Sequence, residues 1–225
     1  MKWNTPDHYF CEGILNGLPE YYNAYSSLFI SYFGLLGLYN TKNDLMIQII
    51  YSLLSVNGIS SFMYHWTGSI GWALYDEYPM IIALFLGNIY VENLLPSKCK
   101  NYKLLFYVNT MLLYLVINVM EDQRLIFPYY FAGGLIIVLI NINRLVNYYE
   151  KLNIQYHTIY YNSNYYIGII IGSAITWGVT EISCKNYRFI YDKIYLLGHP
   201  MWHFMISYGF YNLIQIIYNI KLYLN

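Results

Sequence analysis

Apolar residues in this chain fall in long runs separated by short polar connectors. A helix that crosses a bilayer needs roughly 20 mostly apolar residues. Seven stretches meet that need: about 23–40, 44–65, 73–92, 103–120, 126–143, 164–182 and 199–220. The connectors, such as LPSKCKNY and CKNYRFIYDKI, are short and polar. No internal repeat or low-complexity linker interrupts the series. The pattern predicts an all-α, integral membrane, seven-transmembrane helix bundle. It divides into an N-terminal segment, 1–22, and one domain, 23–225.

Composition agrees. The 225 residues are 58% hydrophobic and 11% charged, under half the charge of an ordinary soluble domain. Net charge is zero, so no basic field argues for nucleic acid. Nothing in the sequence points to a protein partner; membrane lipids are the expected surroundings. The start, MKWNTPDHYFCEGILNGLPE, has no basic region followed by an apolar one, so no cleavable signal peptide is expected. Three cysteines are too few for a disulfide scaffold but allow one bridge. Thirty tyrosines suit membrane interfaces, where ring and hydroxyl meet apolar and wet phases.

Seven crossings put the N-terminus and the second, fourth and sixth connectors on one side, here termed the N-face. It holds five Lys/Arg (Lys2, Arg124, Lys185, Arg188, Lys193) against seven opposite (Lys42, Lys98, Lys100, Lys103, Arg144, Lys151, Lys221). The positive-inside rule then sets the C-terminus in the cytosol and the N-terminus in a lumen. Nine of the twelve acids and all five tryptophans also fall on or near the N-face. The chemistry is expected there.

The stretch GISSFMYHWTGSIGWALYDEYPM, 58–80, concentrates titratable groups. Ser61 and His65 are four residues apart, so a helix puts them on one side. His199 and His203 repeat the spacing at the start of the seventh span. The topology brings His65, His199, His203 and Asp76 to one depth. Three neutral imidazoles can bind zinc and leave a fourth position for water. Zinc brings that water's pKa toward about 7. A carboxylate can take the proton, and a hydroxyl can donate to a developing oxyanion. Singly, each feature has a plainer reading: a histidine pair bonded within the bundle, or an aspartate capping a helix. Five such groups at one depth favour the metal, because ionisable groups inside spans are costly.

These residues carry a resemblance. The 58–80 stretch resembles the alkaline ceramidase signature G-x-G-S-x-x-F-H-x-T-L…D-E-L-P-M. GHPMWHF is similar to that family's late H-A-x-W-H. FCEGILNGLPEYYNAYSS resembles its W-C-E…A-E-F-W-N-T-x-S-N, and WGVTEISC its W-x-x-D-x-x-x-C. The blocks run in order from residue 10 to 204, so the whole chain is covered. The resemblance implies a seven-helix amidase that hydrolyses ceramide to a sphingoid base and a fatty acid. It implies Zn2+ on His65, His199 and His203, water activation by Asp76, and carbonyl stabilisation by Ser61. Ser60 replaces a Gly beside Ser61, Gly68 replaces a Leu, and Pro200 follows His199. Proline is tolerated in a helix's first turn, where the seventh span would put it.

The resemblance also implies a Ca2+ site, with Glu12, Glu20 and Asn23 matching its pattern. Tyr9 and Ile14 stand where the family has an Asp and an Asn; Asp7 or Asn16 are the substitutes open to it. The other reading of these acids is solvation of an exposed segment. Cys11 and Cys184 lie on the N-face, align with cysteines of the family blocks and are expected to pair. Cys99 maps opposite and is expected to stay free. A disulfide there requires an oxidising compartment, which points to an ER or Golgi membrane. The alternative function is a seven-helix lipid-sensing receptor of the wider superfamily that includes adiponectin and progestin receptors. The stretch of about 22 residues before the first span and the D-E-x-P-M block favour the ceramidase.

Overall fold

The computed structural model describes residues 10–95, 127–150, 157–186 and 192–224. The fourth predicted span, 103–120, lies outside the described residues, as do Asp7, Tyr9 and Cys99. The helices are α1 (Cys11–Asn16), α2 (Tyr21–Asn40), α3 (Leu45–Thr67), α4 (Ile70–Leu94), α5 (Phe127–Glu150), α6 (His157–Asn186) and α7 (Asp192–Leu224). Helices α2 to α4 overlap the first three predicted spans, and α5 to α7 contain nearly all of the last three.

Leu45–Thr67, Phe127–Tyr149 and Asn162–Cys184 are long and apolar enough to cross a membrane by length and composition. The other three long helices are diluted by polar residues: α2 carries five tyrosines and α4 three carboxylates. Even α2, the shortest of them at 20 residues, reaches about 30 Å. Large apolar side chains cover the outside; Leu35, Ile59, Ile136, Ile175 and Ile182 are each more than half exposed. Water would penalise that surface and lipid does not. Helices satisfy their own backbone groups, as a hydrocarbon medium demands. The chain is an all-α membrane helical bundle.

Each long helix packs on the next described one, and α7 returns to α2, closing a ring. Helices α2 and α3 cross closely at small residues. A Cβ on Gly34 would run into Ser55, and one on Gly58 into Ser31. Ser31 Oγ donates to the Ser55 carbonyl at 2.7 Å across the crossing. Close approach at small residues with hydroxyl bridges is how helices associate where burial from lipid supplies no drive.

Three boundaries run seven residues past the predicted spans: α5 ends at Glu150, not 143, α6 begins at His157, not 164, and α7 also begins early. Helix α7 begins at Asp192, not His199, so Pro200 sits inside the helix. The preceding residues form helix on the polar side of the span, where hydropathy gives no signal. Pro200 brings no N–H to the carbonyl of Leu196. His199 and His203 are therefore set two to three turns into a continuous helix.

Candidate active site

Helix α3 carries Asn57, Ser61 and His65 at four-residue spacing, on one side and all buried. Gly68 ends the helix three residues later. It adopts the left-handed conformation (φ 65°) and its N–H bonds the Tyr64 carbonyl. Glycine takes that conformation at no steric cost, which accounts for its presence where the ceramidase pattern has leucine. Helix α7 brings His199 and His203, and α4 brings Asp76 from its second turn. The candidate ligand nitrogens of His65, His199 and His203 all lie within 4.8 Å of one another. The three rings are 2%, 5% and 3% exposed, so no bulk water serves them.

Each imidazole has its Nδ1 engaged on the outside of the cluster. His65 Nδ1 is 2.6 Å from Glu20 Oε2. His199 Nδ1 is 3.3 Å from Glu181 Oε1, with Trp177 Nε1 at the same distance. His203 Nδ1 is 2.9 Å from Ser26 Oγ. Ser26 donates its own proton to the Asn23 carbonyl at 3.0 Å, so it accepts from His203. Carboxylates likewise only accept. Nδ1 therefore carries the proton in His65 and His203, where Nε2 keeps its lone pair for the centre; at His199 the Glu181 carboxylate accepts while the Trp177 N–H donates toward the same Nδ1. Histidines that bind metal are held in this way.

One cavity of about 450 Å³ joins these groups. Asn57, Ser61, His65, Asp76, His199 and His203 line one end, and its walls are otherwise mostly apolar. On α3 the lining runs from His65 to Ile47, roughly 27 Å at 1.5 Å per residue. Asn57 Nδ2 donates to Asp76 Oδ1 at 2.7 Å and to its carbonyl at 2.6 Å. Ser61 also hydrogen-bonds the Asp76 side chain. Phe10 lies over the cluster, its ring centroid 4.3 Å from His199 and 5.1 Å from His65. Trp177 and Trp202 stack at 5.3 Å and line the cavity. Those two N-face tryptophans serve the site's wall.

Glu12 and Glu20 are buried, not solvating an exposed segment. Glu12 accepts the backbone N–H of Tyr22 at 2.8 Å and of Asn23 at 2.9 Å. It thereby caps the first turn of α2 from a distance. Burial pushes the Glu12 carboxyl up, against the pull of those two N–H groups. Glu20 accepts from Phe10 N at 3.1 Å, Asn23 Nδ2 at 3.0 Å and His65. Burial opposes its charge, yet the bonds from His65 and Asn23 hold its carboxyl below the ordinary range. Asn23 Oδ1 is buried without a partner. Cys11 and Cys184 meet with sulfurs 2.11 Å apart and Cα atoms at 5.8 Å.

Five of the residues singled out in the sequence, Ser61, His65, Asp76, His199 and His203, thus share one cavity. Asn57, Ser26, Glu181 and Phe10 went unremarked in it. Asn57 continues the four-residue spacing of Ser61 and His65. Glu181 is an acid within a predicted span, itself a signal. Ser26 and Phe10 carry no such mark.

A helical membrane bundle with three inward imidazoles, a carboxylate and a hydroxyl on one lipid-sized cavity is built as a membrane hydrolase. The family model described as "Ceramidase" matches residues 4–225, and the chain belongs to the ceramidase family. It is a hydrolase acting on ceramide. Among curated proteins it is similar to "Putative alkaline ceramidase dcd3A" of Dictyostelium discoideum. The two are 25% identical over an alignment 236 positions long, which covers 86% of this chain and 78% of the relative.

Proposed function

We propose that this chain is a zinc-dependent intramembrane amidase that cuts ceramide into a sphingoid base and a free fatty acid. The observation that carries this reading is the buried histidine triad with all three Nδ1 atoms engaged. Three neutral imidazoles with room for one more ligand fit catalytic zinc. When bound, zinc would bring a water's pKa toward about 7 and polarise the amide carbonyl.

The chain's own groups supply the rest. Asp76, held by Asn57, accepts the proton of the attacking water and passes it to the leaving nitrogen. Ser61 donates to the Asp76 carboxylate at rest. Once Asp76 is protonated it no longer draws that donor, and Ser61 is released to hydrogen-bond the developing oxyanion. The apolar remainder of the cavity seats a long hydrocarbon chain and excludes bulk water. Purified protein in detergent, given fluorescent ceramide, should release fatty acid. Ceramide bound without release would favour the lipid-sensing receptor.

Glu12, Glu20 and Asn23, the described candidates for calcium, bring five side-chain oxygens, and Asp7 lies outside the described residues. That ion asks for six to eight oxygens. Both oxygens of Glu12 and both of Glu20 accept N–H donors, and Asn23 Oδ1 has no hydrogen-bond partner. No step is derived through calcium. The meeting of Cys11 and Cys184 supports a disulfide and, with the charge asymmetry, a lumenal N-face in the ER or Golgi. Alkylation of Cys11 without reductant, read by mass spectrometry, would remove both points.

A further inference from the structure

Two buried acids reach the histidine cluster in the same way. Glu20 sets Oε2 on His65 Nδ1 at 2.6 Å and Oε1 on the backbone N–H of Phe10 at 3.1 Å. Glu181 sets Oε1 on His199 Nδ1 at 3.3 Å and Oε2 on the backbone N–H of Cys11 at 2.9 Å. The two N–H groups are consecutive in the chain. Each carboxylate therefore ties one imidazole to the same short stretch of N-terminal backbone. The acids come from different places, Glu20 from the start of α2 and Glu181 from the sixth predicted span. Both are buried, at 2% and 7% exposure. A buried carboxylate that only solvated itself would be a loss. These two have their oxygens used on both sides.

We propose that Glu20 and Glu181 are positioning residues that fix the His65 and His199 rings, His65 in its metal-binding tautomer, and tie the 10–11 backbone to the metal centre. The proposal rests on the zinc reading above. A carboxylate on Nδ1–H fixes the ring and raises the basicity of Nε2, and its loss typically costs 10- to 100-fold in metal affinity. The N-terminal stretch then contributes to metal retention while supplying no ligand. Phe10 follows from the same tie. Its N–H is fixed by Glu20, and its ring is laid over the two tethered imidazoles. Ser26 serves His203 from α2, and among the described residues its hydroxyl bonds Asn23 and His203 rather than residues 10–11, so it provides an internal contrast.

The test measures zinc affinity by competition with a chromogenic chelator, on full-length protein in detergent. The variants are Glu20→Ala, Glu181→Ala and the conservative Glu20→Gln and Glu181→Gln. The alanine variants should lose roughly 10- to 100-fold in zinc affinity. The glutamine variants keep an acceptor oxygen and should lose less. A second readout separates positioning from general support: the gain in Tm when zinc is added to stripped protein. That gain should shrink in the variants, because tighter binding of the folded state gives larger stabilisation. A merely structural tie would lower Tm of loaded and stripped protein alike and leave the gain unchanged. Zinc affinities within twofold of the parent in all folded variants would overturn the proposal. A parent protein that binds no zinc would overturn the zinc reading and this inference together. Zinc bound by the parent with unaffected variants would sink this inference alone.

Discussion

The two ends of the bundle both bury charge, and they differ in what is left over. At the N-face end, the outer nitrogen of each histidine is engaged while the inner one faces the cavity. At the opposite end, Asp44 accepts from Lys221 at 2.6 Å, from Ile47 N at 3.2 Å and from the Tyr90 hydroxyl. Nearby, Tyr51 donates to the Tyr211 carbonyl at 3.1 Å and accepts from Gln215 at 3.0 Å. That end pins α3, α4 and α7 together, with its charges engaged on one another. Buried charge alone does not mark a reactive site. Unused coordinating capacity aimed into a cavity does.

Breaking the first end should abolish activity. His203→Ala should remove zinc and reduce ceramide hydrolysis to background; elemental analysis and fatty-acid release check it. Full zinc occupancy and turnover in that variant would mean the triad is misread. Next in size, Asp76→Asn should keep its zinc and slow turnover by about 100-fold or more, as for a lost general base. Ser61→Ala should cost about 10- to 1000-fold, as for a lost oxyanion donor. Near-parental rates in both would make them structural groups.

Breaking the other end should leave chemistry alone. Asp44→Asn should lower Tm by at least the roughly 2–4 °C that one kcal/mol represents in a chain of this size, with zinc content and rate unchanged. Its effect has a pH signature. Burial opposes the Asp44 charge, but Lys221, Tyr90 and the Ile47 N–H outweigh it, so the folded carboxyl lies below its ordinary range. The stability it adds is present above the ordinary aspartate pKa, about 3.9. It is lost as pH falls through the lower folded value. The Tm gap between parent and Asp44→Asn should close on acidification; a constant gap would assign the loss to packing. The smallest effect is expected from calcium: a calcium-selective chelator should leave Tm where it was, and a clear drop would restore the calcium site.

Much of this was legible because helices turn sequence spacing into geometry. Ser61, His65, His199 and His203 declared themselves by four-residue intervals, and chain order brought them to one depth. The contacts that hold them did not declare themselves. Ser26 and His203 are 177 residues apart, and Cys11 and Glu181 are 170 apart. No local period encodes such pairs. Glu20 shows the limit from the other side. Its importance was visible, but a matched pattern cannot say whether a carboxylate faces an ion or an imidazole. The start of α7 escaped for a further reason: hydropathy reports the lipid-facing stretch, whereas the helix continues beyond it to Asp192.

The closing of the ring by α7 on α2 also has a biosynthetic side. Two of the three clustered histidines stand at positions 199 and 203, on α7, which is synthesised after α2 and α3. Their companions on α2 and α3 are made and can cross the bilayer long before. A nascent chain halted anywhere before His199 holds one imidazole of the three. The three imidazoles can meet only after α7 has been made and inserted, so a translation product that stops short of His203 cannot assemble the triad.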